Sequence, residues 1–422
     1  MSQDHYEATL PVNNGQGDTI GPAWKRNAAL FIASQTLSLF GSMLVQYAMS
    51  WQVLLSTKSG SMMTISILCG FLPMFFIAPF GGVWADRYNR KALTMLADGF
   101  VALVTLVLAL LFSAGYDSMV YLFVAMALRA LGSGIHSPAV SALVPQIVPM
   151  DQLTRVQALN GTLQSVVTLL SPMLSGALLT FMPIQTVFFI DVSTAVLAIL
   201  LLLVFVRVPS RERSAGEKAT GYFRDMAEGI RYVKKHSFIK AFFLFAVVFQ
   251  FFAAPAAFLT PLQTTRTFGE ELWRLSAIEV AFSVGMIGGG LFVAAWGGFR
   301  NKIHTMAVAF FGVGLGTMLL GLVQPFWLYL AFMALIGISM PIFNTPAMVL
   351  LQQRVEPEFH GRIFSVMAMI SSIVMPLGML VFGPLADVAS IEWMLIGTGI
   401  IYMVQSVFLL RNKALLEAGK PL

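Results

Sequence analysis

Twelve long apolar runs dominate this sequence, each able to cross a bilayer as a helix. A helix spanning the hydrocarbon layer needs about 20 apolar residues. The runs fall at 27–55, 61–84, 92–114, 119–144, 154–182, 184–206, 238–262, 275–298, 303–323, 326–350, 360–385 and 391–410. They are continuous rather than alternating, which excludes membrane-spanning strands. Only 11% of residues are charged, less than half the roughly 25% of a soluble domain, so most of the surface must meet lipid. The single cysteine, Cys69, lies inside an apolar run and leaves no intrachain disulfide or cysteine-rich metal site. No metal or other cofactor is expected.

Charge orients the helices. Of the 26 Lys and Arg residues, Lys58, Arg266 and Arg274 fall on one side, Arg129 lies inside the membrane, and all others fall on the opposite side. The positive-inside rule makes that basic side cytoplasmic. The expectation is an all-α, multi-pass protein of a bacterial cytoplasmic (inner) membrane with both termini inside. The net charge of +6 therefore belongs to topology, and no nucleic-acid partner is expected. Residues 1–23 are polar and mildly acidic, reading as a disordered cytoplasmic tail rather than a signal peptide.

The only long hydrophilic interruption, 207–237, divides two six-helix halves, 24–206 and 238–411, with 412–422 expected as a second cytoplasmic tail. Within the linker, Tyr222, Met226, Ile230 and Val233 share one face over 217–235, the pattern of an amphipathic helix on the membrane surface. The halves resemble each other. His136-Ser-Pro138-Ala139 parallels Asn344-Thr-Pro346-Ala347, Pro149 and Arg155 parallel Pro357 and Arg362, and Trp84–Lys91 has a decayed echo in Trp296–Lys302. Two parallel repeats with a site between them near the midplane are a transporter design that allows one half to rock against the other.

After the second run the sequence reads Gly82-Val-Trp-Ala-Asp86-Arg87-Tyr-Asn-Arg90-Lys91. This resembles the G-x-x-x-D-R-x-x-R-K pattern of the major facilitator superfamily. Within it the chain, from about residue 25 onward, is similar to the macrolide-efflux type of drug:proton antiporter. The phrases GFLPMFFIAPFGGVWADRYNRK, RALGSGIHSPAVSALVPQIVP, SVGMIGGGLF and GRIFSVMAMISSIVMPLG carry that likeness. The resemblance implies the major-facilitator fold of 12 helices in two six-helix pseudo-repeats. It also implies a conformational latch at Gly82, Asp86, Arg87, Arg90 and Lys91, with Gly82 permitting close helix approach. Two departures stand out. Arg129 is followed by Gly132 and Gly134 rather than by glycines at +4 and +6, and the antiporter pattern of the fifth helix survives only as Ser171-Pro172-x-x-Ser175-Gly176.

Charged residues inside a membrane are costly and mark functional sites by default. At about 1.5 Å rise per residue, Arg129 and Asp191 lie at similar depth and can reach each other. Glu279 sits about a turn inside the eighth helix, and Asp98 about two turns inside the third. A proton-coupled antiporter needs a carboxylate that exchanges its proton between the two sides. Asp191 with Arg129 fits that role, and so does Glu279. The other reading makes Asp191 and Asp98 structural partners of Arg129 or of loop bases. His136 shares a helix face with Arg129 and is read either as structural or as a proton relay.

Gln35, Ser38, Ser42, Gln46 and Met49 form a stripe on the first helix. The seventh helix is dense in Phe around Gln250, with Phe252 among them, and the tenth offers Met340, Phe343 and Asn344. Gln46, Met49, His136, Gln250, Phe252, Met340 and Asn344 are the expected substrate contacts. Flexible thioethers and rings suit large amphipathic ligands. No G-x-x-x-x-G-K-[ST], G-x-S-x-G or H-E-x-x-H occurs, which argues against an ATP-driven pump or a hydrolytic enzyme. The expected function is export of a small amphipathic, macrolide-like compound by a monomer, coupled to protons. A siderophore or other natural product, or a lipid, is the alternative cargo.

Overall fold

A computed structural model describes residues 24–208, 231–356 and 359–421. The expected tail 1–23 and most of the expected surface helix lie outside the described residues, and only the last turn of that helix, 231–235, is seen as helical. The described residues hold twelve helices long and apolar enough to span a membrane. They are α1 (Trp24–Thr57), α2 (Gly60–Arg87), α3 (Arg90–Ser113), α4 (Met119–Ile147), α5 (Leu153–Phe181) and α6 (Ile184–Phe205). The second set is α7 (Ser237–Thr267), α8 (Leu272–Trp296), α9 (Lys302–Leu320), α10 (Phe326–Arg354), α11 (His360–Val388) and α12 (Ile391–Arg411).

Polar caps decide where several of these helices begin. Ser59 accepts the Met62 N–H at the start of α2, and Ser118 accepts that of Val120 at the start of α4. Such side chains satisfy backbone donors that the first helical turn leaves unpaired. Asn89 caps α3 through the Ala92 N–H, and Asn301 caps α9 through the Ile303 N–H. These two caps occupy equivalent places in the repeated motif, so the decayed echo in the second half keeps its cap. In α7, Pro255 removes a backbone donor and Pro255–Leu259 widen into a π-helical turn before the α-helix resumes.

Helices α1–α6 pack among themselves, as do α7–α12. The two sets meet mainly along α2 against α11 and α5 against α8. Tight crossings use glycine: a Cβ added at Gly285 or Gly289 would lie 2.3 Å from the Ala334 carbonyl oxygen or 2.1 Å from that of Ile338, so α8 and α10 touch through backbone. Between α2 and α4 the close approach falls on Gly81 and Gly134 rather than on Gly82, beside which a Cβ would meet nothing within 4 Å. The expected packing role of Gly82 is therefore corrected for this conformation.

The terminal segment is partly helical. Within 412–422, Lys413–Ala418 form a short helix, α13, capped by Asn412. Leu415 is buried, and Arg354 donates to the Ala418 and Lys420 carbonyls, so this segment packs beneath the second half.

Candidate functional site

The two ends of the bundle differ. At the end away from the basic loops the halves are tied together. Asp387, near the end of α11, accepts the Gly60 N–H (2.6 Å), the Ser61 N–H (3.0 Å) and the Ser59 hydroxyl (3.0 Å) at the start of α2. Arg266 stands 3.6 Å from Asp387 and donates to the Lys58 carbonyl, while Lys58 pairs with Glu270. Deeper on the same side, Thr64 donates to the Met379 carbonyl, and Ser276 of α8 donates to the Pro172 carbonyl of α5. The decayed fifth-helix motif thus forms a seam between halves: a Cβ at Gly176 would lie 2.1 Å from Ser276 Oγ.

Toward the basic end two cavities open between the helices. The first, of about 700 Å³, is lined by α1–α5, including Gln46, Met74, Asn160 and Gln164. The second, of about 510 Å³, lies among helices of the second half and is lined by Phe, Met and a few polar groups such as Gln250 and Asn344. Its wall is an aromatic cluster: Phe310 lies 4.8 Å from Phe245, 5.2 Å from Phe249, 5.2 Å from Phe343 and 5.0 Å from Tyr402, ring centre to ring centre. The Tyr402 hydroxyl is satisfied by the Phe249 carbonyl at 3.1 Å.

The sequence-predicted residues distribute unevenly over this architecture. Gln46 and His136 line the polar cavity, and Gln250, Met340 and Asn344 line the aromatic one. Met49 does not: it is fully buried with Leu44, Val45 and Leu122 inside the first half. Phe252 lines neither cavity and packs edge-on to Phe251 and against Phe382. Helical spacing placed Met49 on the polar stripe, but that stripe ends where α1 turns into the core.

Arg129 and Asp191 meet as the sequence allows. Arg129 Nη1 lies 2.5 Å from Asp191 Oδ2, and the pair is buried. Thr105 donates to the same oxygen at 3.0 Å and also contacts Arg129, while Ser42 reaches Asp191 Oδ1 at 3.5 Å. Four helices converge on this pair, so the charge is neutralised within one half.

Glu279 is placed differently. It is half-buried on α8, one turn beyond Ser276 and so just beneath the seam, close enough to Tyr47 of α1 to act on it electrostatically. It makes no ion pair among the described residues.

Asp98 was read as structural, yet it borders the polar cavity, where Ser38 donates to its Oδ1 at 2.9 Å and His136 Nε2 stands 3.2 Å away. The i, i+7 spacing of Arg129 and His136 put both on one cavity face, but no sequence signal joined His136 to Asp98 across helices.

The latch residues act within their own half here. Arg90 donates to the Ala85 and Ala142 carbonyls and pairs with Asp86 at 3.4 Å. Lys91 donates to the Leu203 and Val206 carbonyls at the end of α6, a favourable place for a cation. Asp86 and Arg87 are exposed, and the ion pair of Asp86 is with Arg90 of its own half.

Residues 23–419 match the profile of the transmembrane secretion effector family. The chain belongs to that family. It is a multi-pass membrane transporter of the major facilitator superfamily, not an enzyme. It is 27% identical over 387 residues to macrolide efflux protein A of Streptococcus pyogenes, covering 91% of this chain and 95% of that protein. Macrolide efflux protein A of Enterococcus faecalis is 29% identical over 323 residues, 76% of this chain and all of that protein. The multidrug efflux pump Tap of Mycobacterium bovis is 22% identical over 94% of each chain. Among solved structures, an inward-facing, unoccupied bacterial homologue of the human lysosomal transporter Spinster matches with a TM-score of 0.70 at 14% identity, over 95% of this chain and 99% of that one. A D-xylose–proton symporter matches with a TM-score of 0.71 at 13% identity, over 93% and 99%. At such identities these structures speak for the fold alone.

Proposed function

We propose that this transporter exports amphipathic, macrolide-like compounds by alternating access, as a monomer, in exchange for protons. The observation that carries the reading is the pair of cavities, one polar and one aromatic, open toward the basic end and sealed at the other. The similarity to macrolide efflux proteins along nearly the whole chain supplies the cargo class. With the basic end in the cytoplasm, the conformation is inward-open and ready to load from inside. Rocking would then break the Asp387–Arg266–Gly60 seal and bring the halves together at the basic end. There the exposed Asp86 and Arg87 would engage as the latch of the opposite conformation, with Gly82, Arg90 and Lys91 shaping that loop.

Of the two carboxylates proposed for proton exchange, Glu279 is the better placed. Asp191 is neutralised by Arg129, which favours a structural role for both. Glu279 has no cationic partner among the described residues, and it lies under the seam that would open to the outside. Opening would let it take a proton from that side. In the polar cavity, Asp98 has no cationic partner among the described residues while Arg129 is neutralised by Asp191, which disfavours anionic siderophores as cargo.

The test is accumulation of a labelled macrolide in efflux-deficient cells expressing the protein, with and without a protonophore. Low accumulation that the protonophore abolishes is the expected result. Accumulation equal to that of cells lacking the protein would overturn the macrolide assignment.

A further inference from the structure

The polar cavity contains a second charged corner that the exchange cycle above does not use. Asp98 is buried on α3 and borders the cavity, and no Lys or Arg pairs with it among the described residues. Its neighbours are Ser38, donating at 2.9 Å, and His136, whose Nε2 lies 3.2 Å away but off hydrogen-bond alignment. Arg129, which lines the same cavity, is already committed to Asp191. Gln35, also on this wall, is buried with its Oε1 accepting from nothing. The corner therefore holds a carboxylate without a cation and an imidazole loosely held beside it, with an unpartnered amide oxygen on the same cavity wall that a side-chain rotation would bring into reach. Buried acceptors left unfilled cost free energy until a donor arrives. The complement to such a corner is a small cationic donor.

A metal ion fits poorly, because no group of three His, Cys, Asp or Glu ligands exists among the described residues. A protonated amine fits better, since it brings one charge and one to three N–H donors. The aromatic cavity of the second half, lined by Phe and Met, would receive a lipophilic body that reaches across from this corner, and aromatic faces also attract cations.

We propose that Asp98, with Ser38 and Gln35, is the recognition site for the ammonium group of a lipophilic amine cargo, and that the ammonium displaces His136 from the carboxylate. This rests on the export reading and adds what that reading leaves open: which part of the cargo is read, and by which residues. Asp98 sets specificity for charge, while the aromatic cavity tolerates variation in the body.

The test is equilibrium binding to the purified, full-length transporter in lipid nanodiscs with three probes. These are a labelled macrolide bearing a tertiary amine, its N-oxide (nearly isosteric and uncharged at neutral pH), and tetraphenylphosphonium. Wild type should bind the amine about ten- to a hundredfold more tightly than the N-oxide, the range expected of a hydrogen bond to a charged group. Asp98→Asn should erase that preference, and a circular-dichroism spectrum and thermal midpoint like those of wild type would show that the variant is folded. Asp98→Glu should restore the preference.

Retention of the amine preference in Asp98→Asn would overturn the proposal, and so would equal binding of both macrolide forms by wild type, which leaves the export reading standing. If neither macrolide form binds but tetraphenylphosphonium does, and its binding falls in Asp98→Asn, the macrolide reading fails and the cation site survives. Binding of no probe by wild type overturns both.

Discussion

Arg129 and Asp191 meet at 2.5 Å across α4 and α6, and Thr105 of α3 and Ser42 of α1 complete their shell. One ion pair thus joins four helices of the first half. Removing one partner of a buried pair strands the other charge, at a cost of about 3–5 kcal/mol. Asp191→Asn and Arg129→Met should each lower the thermal midpoint of the purified protein, and the double variant should recover part of the loss. Single variants as stable as wild type would show that the pair does not hold the half together.

Glu279 carries the opposite expectation. It has no cationic partner among the described residues, so Glu279→Gln removes a titratable group without stranding a charge. The variant should fold, bind labelled macrolide like wild type, and lose protonophore-sensitive export by at least about tenfold, or roughly 1.4 kcal/mol. Export that persists undiminished, measured in the same efflux-deficient cells, would exclude Glu279 from coupling.

On the alternating-access reading, the seal opposite the basic end opens once per cycle. In a Cys69→Ser background, Lys58→Cys with Glu270→Cys places two thiols at the roots of that ion pair, which a short bis-methanethiosulfonate reagent can span. Cross-linking should abolish export and a reductant should restore it. Full export after complete cross-linking would mean that this end stays closed throughout transport.

The α8–α10 crossing permits no side chain at two positions. Gly285→Leu or Gly289→Leu drives Cβ into the Ala334 or Ile338 carbonyl, and overpacking of this kind costs about 1–3 kcal/mol. Both variants should melt at lower temperature, whereas Gly290→Leu, with nothing within 4 Å of its Cβ, should not. Equal melting of all three would remove the backbone contact as a determinant of packing.

Much of the site was legible in particular residues. The helical stripe of Gln35, Ser38, Ser42 and Gln46 does face a polar cavity, and the Phe-rich seventh helix supplies Phe242, Phe245 and Phe249 to an aromatic one. Spacing failed at Met49 and Phe252 because periodicity gives a face, not a partner: one face of α1 points to the cavity at Gln46 and to the core one turn later. At residues 412–422, Leu415 finds a hydrophobic site beneath the second half that no local pattern announces.

Helix number, repeat and family were determined by sequence alone, because lipid requires every spanning segment to satisfy its own backbone and so writes each span as an uninterrupted apolar run. Which carboxylate is neutralised was decided only in three dimensions. Asp98, Asp191 and Glu279 look alike along the chain, and their differences come from groups far away in sequence. Arg129 is 62 residues from Asp191, and His136 reaches Asp98 from another helix. Ionic character depends on what stands within a few ångströms in a medium that screens little, and that distance is set by helix packing.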